Sequence, residues 1–542
     1  MAVNIPGLIS LIVFYLLIMV FGFWGAWMKR KRGINKSEAN MVANRDIGLL
    51  LGCFTMTATW VGGGYLLGTS ESIYTPGMGL LWTQPPFCYS LSVLIGGCVF
   101  AKEMRRQGYV TMIDPFQRKL GRFMGALVSL PAICGEMFFA GAILSALGGT
   151  LVVIVGISHE VAVITSACIA VFYTLFGGLY SVAYTDVAQL IFMFFGMWLS
   201  IPFIFTNDAL IAPITETAYW NQSWLGSWDM NFSGKWIDST LMLIGGGIPW
   251  QCYFQRVLSA KTPTTARTLS IVSCFGCIFM STPSILIGAA ASSINWTATT
   301  YGPGTPLENG EEAMILPICL QYLTPPAVAF FGLGAAAAAV MSSADSSILA
   351  LASMTTRNFY QPLIRPQASE RELIWVMRVG TVLAGIVPTV CAIKVKSVFA
   401  LWFLCSDLIY AILLPQLIAV VYFDPNSYGA LPAYIYALIM RLGGGESFLG
   451  VPPFINYPGN VFPDKANFPF KTFTMITSLI MLLSISYAAK FLFEKGYIPA
   501  KYDFFDCKLA YGGRKIELVH LESKASKDES SSTNQKSEVE SN

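Results

Sequence analysis

The sequence predicts an all-α membrane protein with many crossings, and three observations carry that prediction. Of its 542 residues, 54% are apolar and only 12% charged, whereas soluble domains carry about 25% charged residues. The apolar residues gather in thirteen windows, each close to the roughly 20 residues a helix needs to cross hydrocarbon. Clusters of lysine and arginine gather in the connections on one side. Because the basic residues are spread between apolar runs, the net charge of +3 points to no nucleic-acid partner.

In chain order the windows are roughly 7–28, 47–68, 79–101, 124–153, 161–181, 185–206, 237–257, 269–292, 326–352, 373–394, 398–422, 429–442 and 472–494. The first is followed, not preceded, by Lys29-Arg30-Lys31-Arg32, the reverse of a signal peptide, so it reads as a retained span. Basic clusters at Lys29–Lys36, Lys102/Arg105/Arg106, Arg118/Lys119/Arg122, Arg256/Lys261/Arg267 and Arg357/Arg365/Arg371 all fall inside if the N-terminus is outside and the C-terminus inside. The sequons at Asn221, Asn231 and Asn295 then lie in outside loops, and the one at Asn35 lies inside, beyond the reach of glycosylation. The serine-rich polar tail ending KASKDESSSTNQKSEVESN reads as disordered.

Enzyme chemistry finds little support. The twelve cysteines lie mostly within windows, among them Cys53, Cys88, Cys134, Cys252 and Cys405, which suggests no disulfide framework. Cys274 and Cys277 form a CxxC inside an apolar run, and the only histidines are His159 and His520. There is no nucleophile elbow, phosphate loop or paired-histidine metal motif.

Two windows carry interruptions. TATWVGGGYLLG sets Gly62, Gly63 and Gly64 after Trp60 and Val61, and LMLIGGGIPWQCYFQ sets Gly245, Gly246 and Gly247 before Pro249 and Trp250. A single interior glycine costs a helix about 1 kcal/mol relative to alanine. Close helix packing explains one triplet as well as an interruption does. A second triplet at the matching place favours unwound backbone at a binding site. Counting spans from zero, the triplets fall in spans 1 and 6, the first members of two five-span sets, as in inverted-repeat secondary transporters. Backbone can unwind at membrane depth only where it lines a cavity or binds something.

Several polar and aromatic residues stand out against this background. Asp345, in MSSADSS, is an acid at mid-span, a functional candidate by its cost of at least about 2.5 kcal/mol. Glu136 is also deep, where it can pair with a basic group or lie near a cation path, and Asp186 stands near a span end. Trp60 and Trp250 adjoin the two breaks, unlike the tryptophans of an interfacial belt.

The stretches ATWVGGGY, GYVTMIDPFQ, GGLYSVAYTDV, GGIPWQCYFQRVLS and AVMSSADSSI resemble the choline-carrying branch of the sodium/solute symporter family, and the similarity runs from about residue 7 to 510. The resemblance implies a five-plus-five inverted repeat with one extra N-terminal and two extra C-terminal spans. The expected division is 1–36 for the extra span and basic link, 37–206 for the first repeat, 207–236 for an outside loop, 237–422 for the second repeat, 423–500 for the last two spans and 501–542 for the tail. It also implies uptake of choline driven by sodium and dependent on chloride, at the plasma membrane with cycling through intracellular vesicles. A homodimer in the bilayer is a further expectation.

By the same resemblance, sodium is held by backbone carbonyls of Ala58, Val61 and Ala339 and the hydroxyls of Ser342 and Ser343. The last three share a helix face by i, i+3, i+4 spacing, and oxygen ligands suit a hard cation. Asp186 matches an acid associated with a second cation site or gating. Choline has a fixed charge and no N–H, so aromatic faces suit it better than a carboxylate. The resemblance assigns the cage to Trp60, Tyr89, Phe139, Trp250 and Trp402. Position 139 is more often tryptophan in choline carriers, which leaves another quaternary ammonium or small organic cation open as substrate. A substrate-gated channel or sensor on the same fold is the competing class, and fixed charge-to-substrate flux separates the two.

Overall fold

The computed structural model describes residues 5–31, 41–177, 179–219, 223–302, 304–395, 397–461 and 465–505. Helices cover every apolar window. The first is α1 (Ile5–Lys31). The second window is two helices, α2 (Leu49–Trp60) and α3 (Gly63–Tyr74), bent by 44° at Val61–Gly62. Then come α4 (Pro85–Ile95), the 42-residue α5 (Asp114–Val155), α6 (His159–Gly177) and α7 (Leu179–Phe205). The seventh window is again two helices, α8 (Ser233–Gly246) and α9 (Gln251–Ser259), separated by Gly247–Trp250. The remainder are α10 (Pro263–Ala291), α11 (Pro326–Met354), α12 (Glu370–Lys394), α13 (Val398–Leu404), α14 (Leu414–Tyr422), α15 (Ser427–Gly443) and α16 (Phe470–Glu494). A two-residue antiparallel ladder, Asn460–Val461 with Lys465–Ala466, interrupts the all-α pattern in the connection before α16.

Among the described residues, eight helices are long and apolar enough to cross a membrane, or nine with α2 and α3 taken as one. These mark a multi-pass membrane protein. The windows that fall short do so for visible reasons. Helix α15 has only 17 residues, and α9 carries Gln251, Gln255 and Arg256 in nine residues.

Helix α11 occupies the centre, packed against α1, α5, α7, α12 and both α2 and α3. Its run Ala335–Ala339 and Ser342–Ser347 is wholly buried, and small side chains allow neighbouring backbones to approach closely. Outside the helices, Ala43, Asn44 and Arg45 hold φ of 46°, 54° and 56°, a left-handed turn rare for non-glycine residues. From that turn Ile47 reaches the end of α9, giving its N–H to Ser259 at 3.1 Å and taking the N–H of Lys261 at 3.0 Å. Asp46 pairs with Lys261 at 3.2 Å. The start of the first broken helix is thus stitched to the end of the second.

The glycine triplets correct the expectation that all six residues are unwound. Only Gly62 and Gly247 lie outside helices; Gly63, Gly64, Gly245 and Gly246 are helical. Contact explains the rest. A Cβ on Gly62 would stand 1.6 Å from Ser343 Oγ, on Gly63 2.7 Å from Val340 Cγ2 and on Gly64 3.3 Å from Trp402 Cγ. In the second triplet a Cβ would stand 2.6 Å from the Tyr410 ring at Gly245, 2.5 Å from Ser406 O at Gly246 and 2.4 Å from Ser92 Oγ at Gly247. Both readings of the triplets hold, at different residues.

Gly62→Ala is therefore expected to force α2 and α11 apart, costing about 1–3 kcal/mol by overpacking, while Gly48→Ala, with nothing within 4 Å of its Cβ, is expected to be silent. Melting of the purified protein measures both, and equal effects would contradict the packing described.

Candidate functional site

The two breaks bring together the aromatic residues that the sequence set beside them. Trp60 is the last residue of α2 and Trp250 caps α9. Their ring centroids lie 4.9 Å apart, edge to face. Tyr89 of α4 stands 5.5 Å from Trp60, 5.8 Å from Trp250 and 5.3 Å from Trp402 of α13. Phe139 of α5 meets Trp250 edge-on at 4.5 Å. All five rings are buried, and the cluster draws on both breaks and three other helices.

Hydrogen bonds fix the rings. The Tyr89 hydroxyl contacts Ser406 Oγ at 2.5 Å and donates to Trp402 O at 3.3 Å. Trp250 Nε1 donates to Glu136 Oε2 at 2.5 Å, and Cys252 Sγ donates to Glu136 Oε1 at 3.0 Å. Glu136 thus has an indole and a thiol as hydrogen-bond partners. Trp60 Nε1 is buried with no hydrogen-bond partner among the described residues.

The expected sodium residues also meet. Ser342 Oγ donates to Ala58 O at 2.7 Å and to Ala339 O at 3.1 Å, and Ser343 Oγ donates to Thr59 O at 3.2 Å. Val61 follows Trp60 at the break, next to Gly62, where an added Cβ would stand 1.6 Å from Ser343 Oγ and 3.5 Å from Ala339 O. Carbonyls and hydroxyls of α2 and α11 therefore form a purely oxygen donor set, which suits a hard monovalent cation. Asp345 is not joined to it: both carboxylate oxygens are buried without a hydrogen-bond partner among the described residues.

Asp186 faces an arginine. Arg256 Nη2 lies 3.2 Å from Asp186 Oδ2 and donates to Ser346 Oγ at 2.5 Å, and the Thr55 hydroxyl donates to the same carboxylate. Both charged side chains are fully buried. Arg256, which its position counted among the inside-loop cations, is instead interior, because α9 continues three residues past it. The network ties α2, α7, α9 and α11 together.

Two further features escaped the sequence. Glu71 lies buried in α3 with Ser397 and the Phe399 N–H as partners; the helix outruns the apolar window that ended at residue 68. Beyond Phe403, neighbour of Trp402, a cavity of about 600 Å³ is bordered by Lys235, Asp238, Glu446, Phe448 and Lys471. Arg441 pairs with Asp407 and Glu446 beside it, and Lys471 pairs with Asp407 at 3.1 Å. Asn231 and Asn295 are exposed, and Asn221 lies outside the described residues.

Two broken helices meet through Trp60 and Trp250, with further rings at the breaks and oxygen donors beside them. The chain belongs to the sodium:solute symporter family, whose model matches residues 41–436. It is 52% identical to the high-affinity choline transporter 1 of Drosophila melanogaster over 508 residues, 93% of this chain and 82% of that one. It is 51% identical to the high affinity choline transporter 1 of Homo sapiens over 521 residues, 94% of this chain and 90% of that one. A solved structure of a Na+-coupled sialic acid symporter shares the fold, with a TM-score of 0.69 at 16% identity, covering 89% of this chain and 98% of that one. The family implies coupling to sodium, and these relatives are transporters, not enzymes.

Removing one partner of a buried ion pair costs about 3–5 kcal/mol, because the other charge stays unpaired. Arg256→Met and Asp186→Asn are each expected to cost that much, and the two together are expected to recover most of it. Melting temperatures of the three variants measure this coupling; additive losses would contradict it.

Proposed function

We propose that this chain carries choline inward across the plasma membrane together with sodium, by alternating access and with dependence on chloride. The observation that carries the choline reading is the ring cluster at the two breaks. Trimethylammonium binds aromatic faces, each worth about 0.5–2 kcal/mol when desolvated, and Trp60, Tyr89, Phe139, Trp250 and Trp402 supply such faces. The unpartnered Trp60 N–H is a donor for the choline hydroxyl. The names of the relatives support the same substrate.

In this reading sodium takes the carbonyls of Ala58, Val61 and Ala339 with the hydroxyls of Ser342 and Ser343. Thirteen crossings with the N-terminus outside, two inverted repeats at 37–206 and 237–422, and glycans on the outside sequons complete the picture. The 600 Å³ cavity, beside connections assigned to the outside, is the entry side, and the stitch between Ile47 and α9 closes the inside. Two positive charges cross per cycle. Each gains about 2.3 kcal/mol per 100 mV, and a tenfold sodium gradient adds about 1.4 kcal/mol.

Radiolabelled choline uptake in cells expressing the chain, with and without external sodium, tests the proposal; sodium-independent uptake overturns it. Within that assay Ser342→Ala is expected to raise the half-saturating sodium concentration by about fivefold, the loss of about 1 kcal/mol from one oxygen ligand. An unchanged sodium curve would remove Ser342 from the site.

Phe139→Trp enlarges the aromatic face against Trp250. Half-saturation for choline is expected to fall by roughly two- to fivefold. Uptake of choline, a smaller and a bulkier quaternary amine checks this. Weaker binding of all three would mean that residue 139 packs against helices, not substrate.

A further inference from the structure

The face of α3 that carries Gly64, Gly68 and Glu71, at i, i+4 and i+7, lies against α13. A Cβ on Gly64 would stand 3.3 Å from Trp402 Cγ, and one on Gly68 3.3 Å from Trp402 Cε3 and 3.5 Å from Phe399 Cα. The two glycines therefore form a flat bed for the Trp402 ring. Glu71, buried at the end of the same stripe, reaches the start of α13. Its Oε1 accepts from the Ser397 hydroxyl at 2.5 Å, and its Oε2 accepts from the Phe399 N–H at 3.0 Å. Ser397 Oγ in turn accepts from the Ala400 N–H at 3.0 Å. Two of the free N–H groups of a seven-residue helix are thus satisfied, one by its own cap residue and one by a carboxylate from another helix. α13 opens the 25-residue span Val398–Tyr422, and these bonds anchor that end of the span against α3. The anchors fix Trp402, one turn on from Phe399.

We propose that Glu71 is a positioning residue of the ammonium cage: it clamps α13 onto α3 and so sets the Trp402 ring against the substrate. The proposal rests on the cage reading above. It makes substrate affinity depend on a residue that does not touch substrate, and only for as long as Trp402 is present. A carboxamide at position 71 can accept from the Phe399 N–H and donate to Ser397, so geometry survives loss of the charge.

The test is a double-mutant cycle on the full chain in cells, reading half-saturation for choline and maximal uptake per transporter at the surface. Glu71→Ala is expected to raise half-saturation about fivefold, the loss of a good helix cap, with maximal uptake changed by less than about twofold. Glu71→Gln is expected to stay within about twofold of the parent. Trp402→Ala is expected to raise half-saturation by itself, and adding Glu71→Ala to it is expected to change nothing further. Should Glu71→Ala not reach the surface, Ser397→Ala runs the same cycle, with a two- to threefold rise that vanishes in the Trp402→Ala background. Equal factors with and without Trp402, an effect on maximal uptake alone, or a Glu71→Gln defect as large as that of Glu71→Ala would each overturn the proposal. If Trp402→Ala leaves half-saturation unchanged, the cage reading falls and takes the Glu71 proposal with it. If Trp402→Ala raises half-saturation but the effects multiply, only the Glu71 proposal falls.

Discussion

A helix interrupted inside a bilayer frees backbone carbonyls and N–H groups where no water can take them, at several kcal/mol each. This chain does so twice, at Val61–Gly62 and at Gly247–Trp250, and the surrounding structure answers that cost. Serine hydroxyls of α11 donate to the carbonyls of Ala58 and Thr59 at the end of α2. A hydroxyl can give its proton to a carbonyl or turn a lone pair toward a cation, so one set of oxygens can satisfy the broken backbone and hold sodium. The break and the proposed ion site share one set of oxygens.

Close approach is the second condition. Hydroxyl and carbonyl meet at 2.7 Å across α2 and α11 because Gly62 has no side chain to hold Ser343 away. At the other break Gly246 and Gly247 admit the Ser406 carbonyl and Ser92 in the same way. Burial of charge follows the same economy: Arg256 with Asp186, and Arg441 with Asp407, are interior only as pairs that also hydrogen-bond to neighbours.

What the sequence discloses follows from which of these features are local. The breaks are local, since triplets of glycine with an adjoining tryptophan or proline stand out within one window, and so Trp60 and Trp250 could be singled out. The shared face of the serines at 342 and 343 was legible from helix spacing, while the role proposed for them came from family resemblance. The partners were not legible. Nothing near Arg256 in the chain tells that α9 runs past it into the interior to meet Asp186, about seventy residues away. Glu71 was missed because an apolar window ends where polar residues begin, whereas the helix carrying it ends where its packing ends, at Tyr74. The number of glycines unwound was overestimated for a related reason: a glycine needed for contact and one needed for a break look alike in sequence.

The spacing of the two proposed sites along the chain has an energetic consequence. Trp60 closes α2, and the next two residues are Val61 and Gly62, the latter in contact with Ser343. A cation held between Ala58, Val61 and the serines of α11 would fix the backbone on which the Trp60 ring is mounted. Trp60 in turn meets Trp250 at the second break, so order imposed at the first break reaches the second through one ring contact. An ammonium seated against those rings constrains the same segment from the other side. Each cation then spares the other part of the entropy of ordering the break, and by linkage the gain is equal in both directions. Positive coupling between two cations, which repel one another as charges, is available here because they share a broken length of backbone instead of a binding pocket.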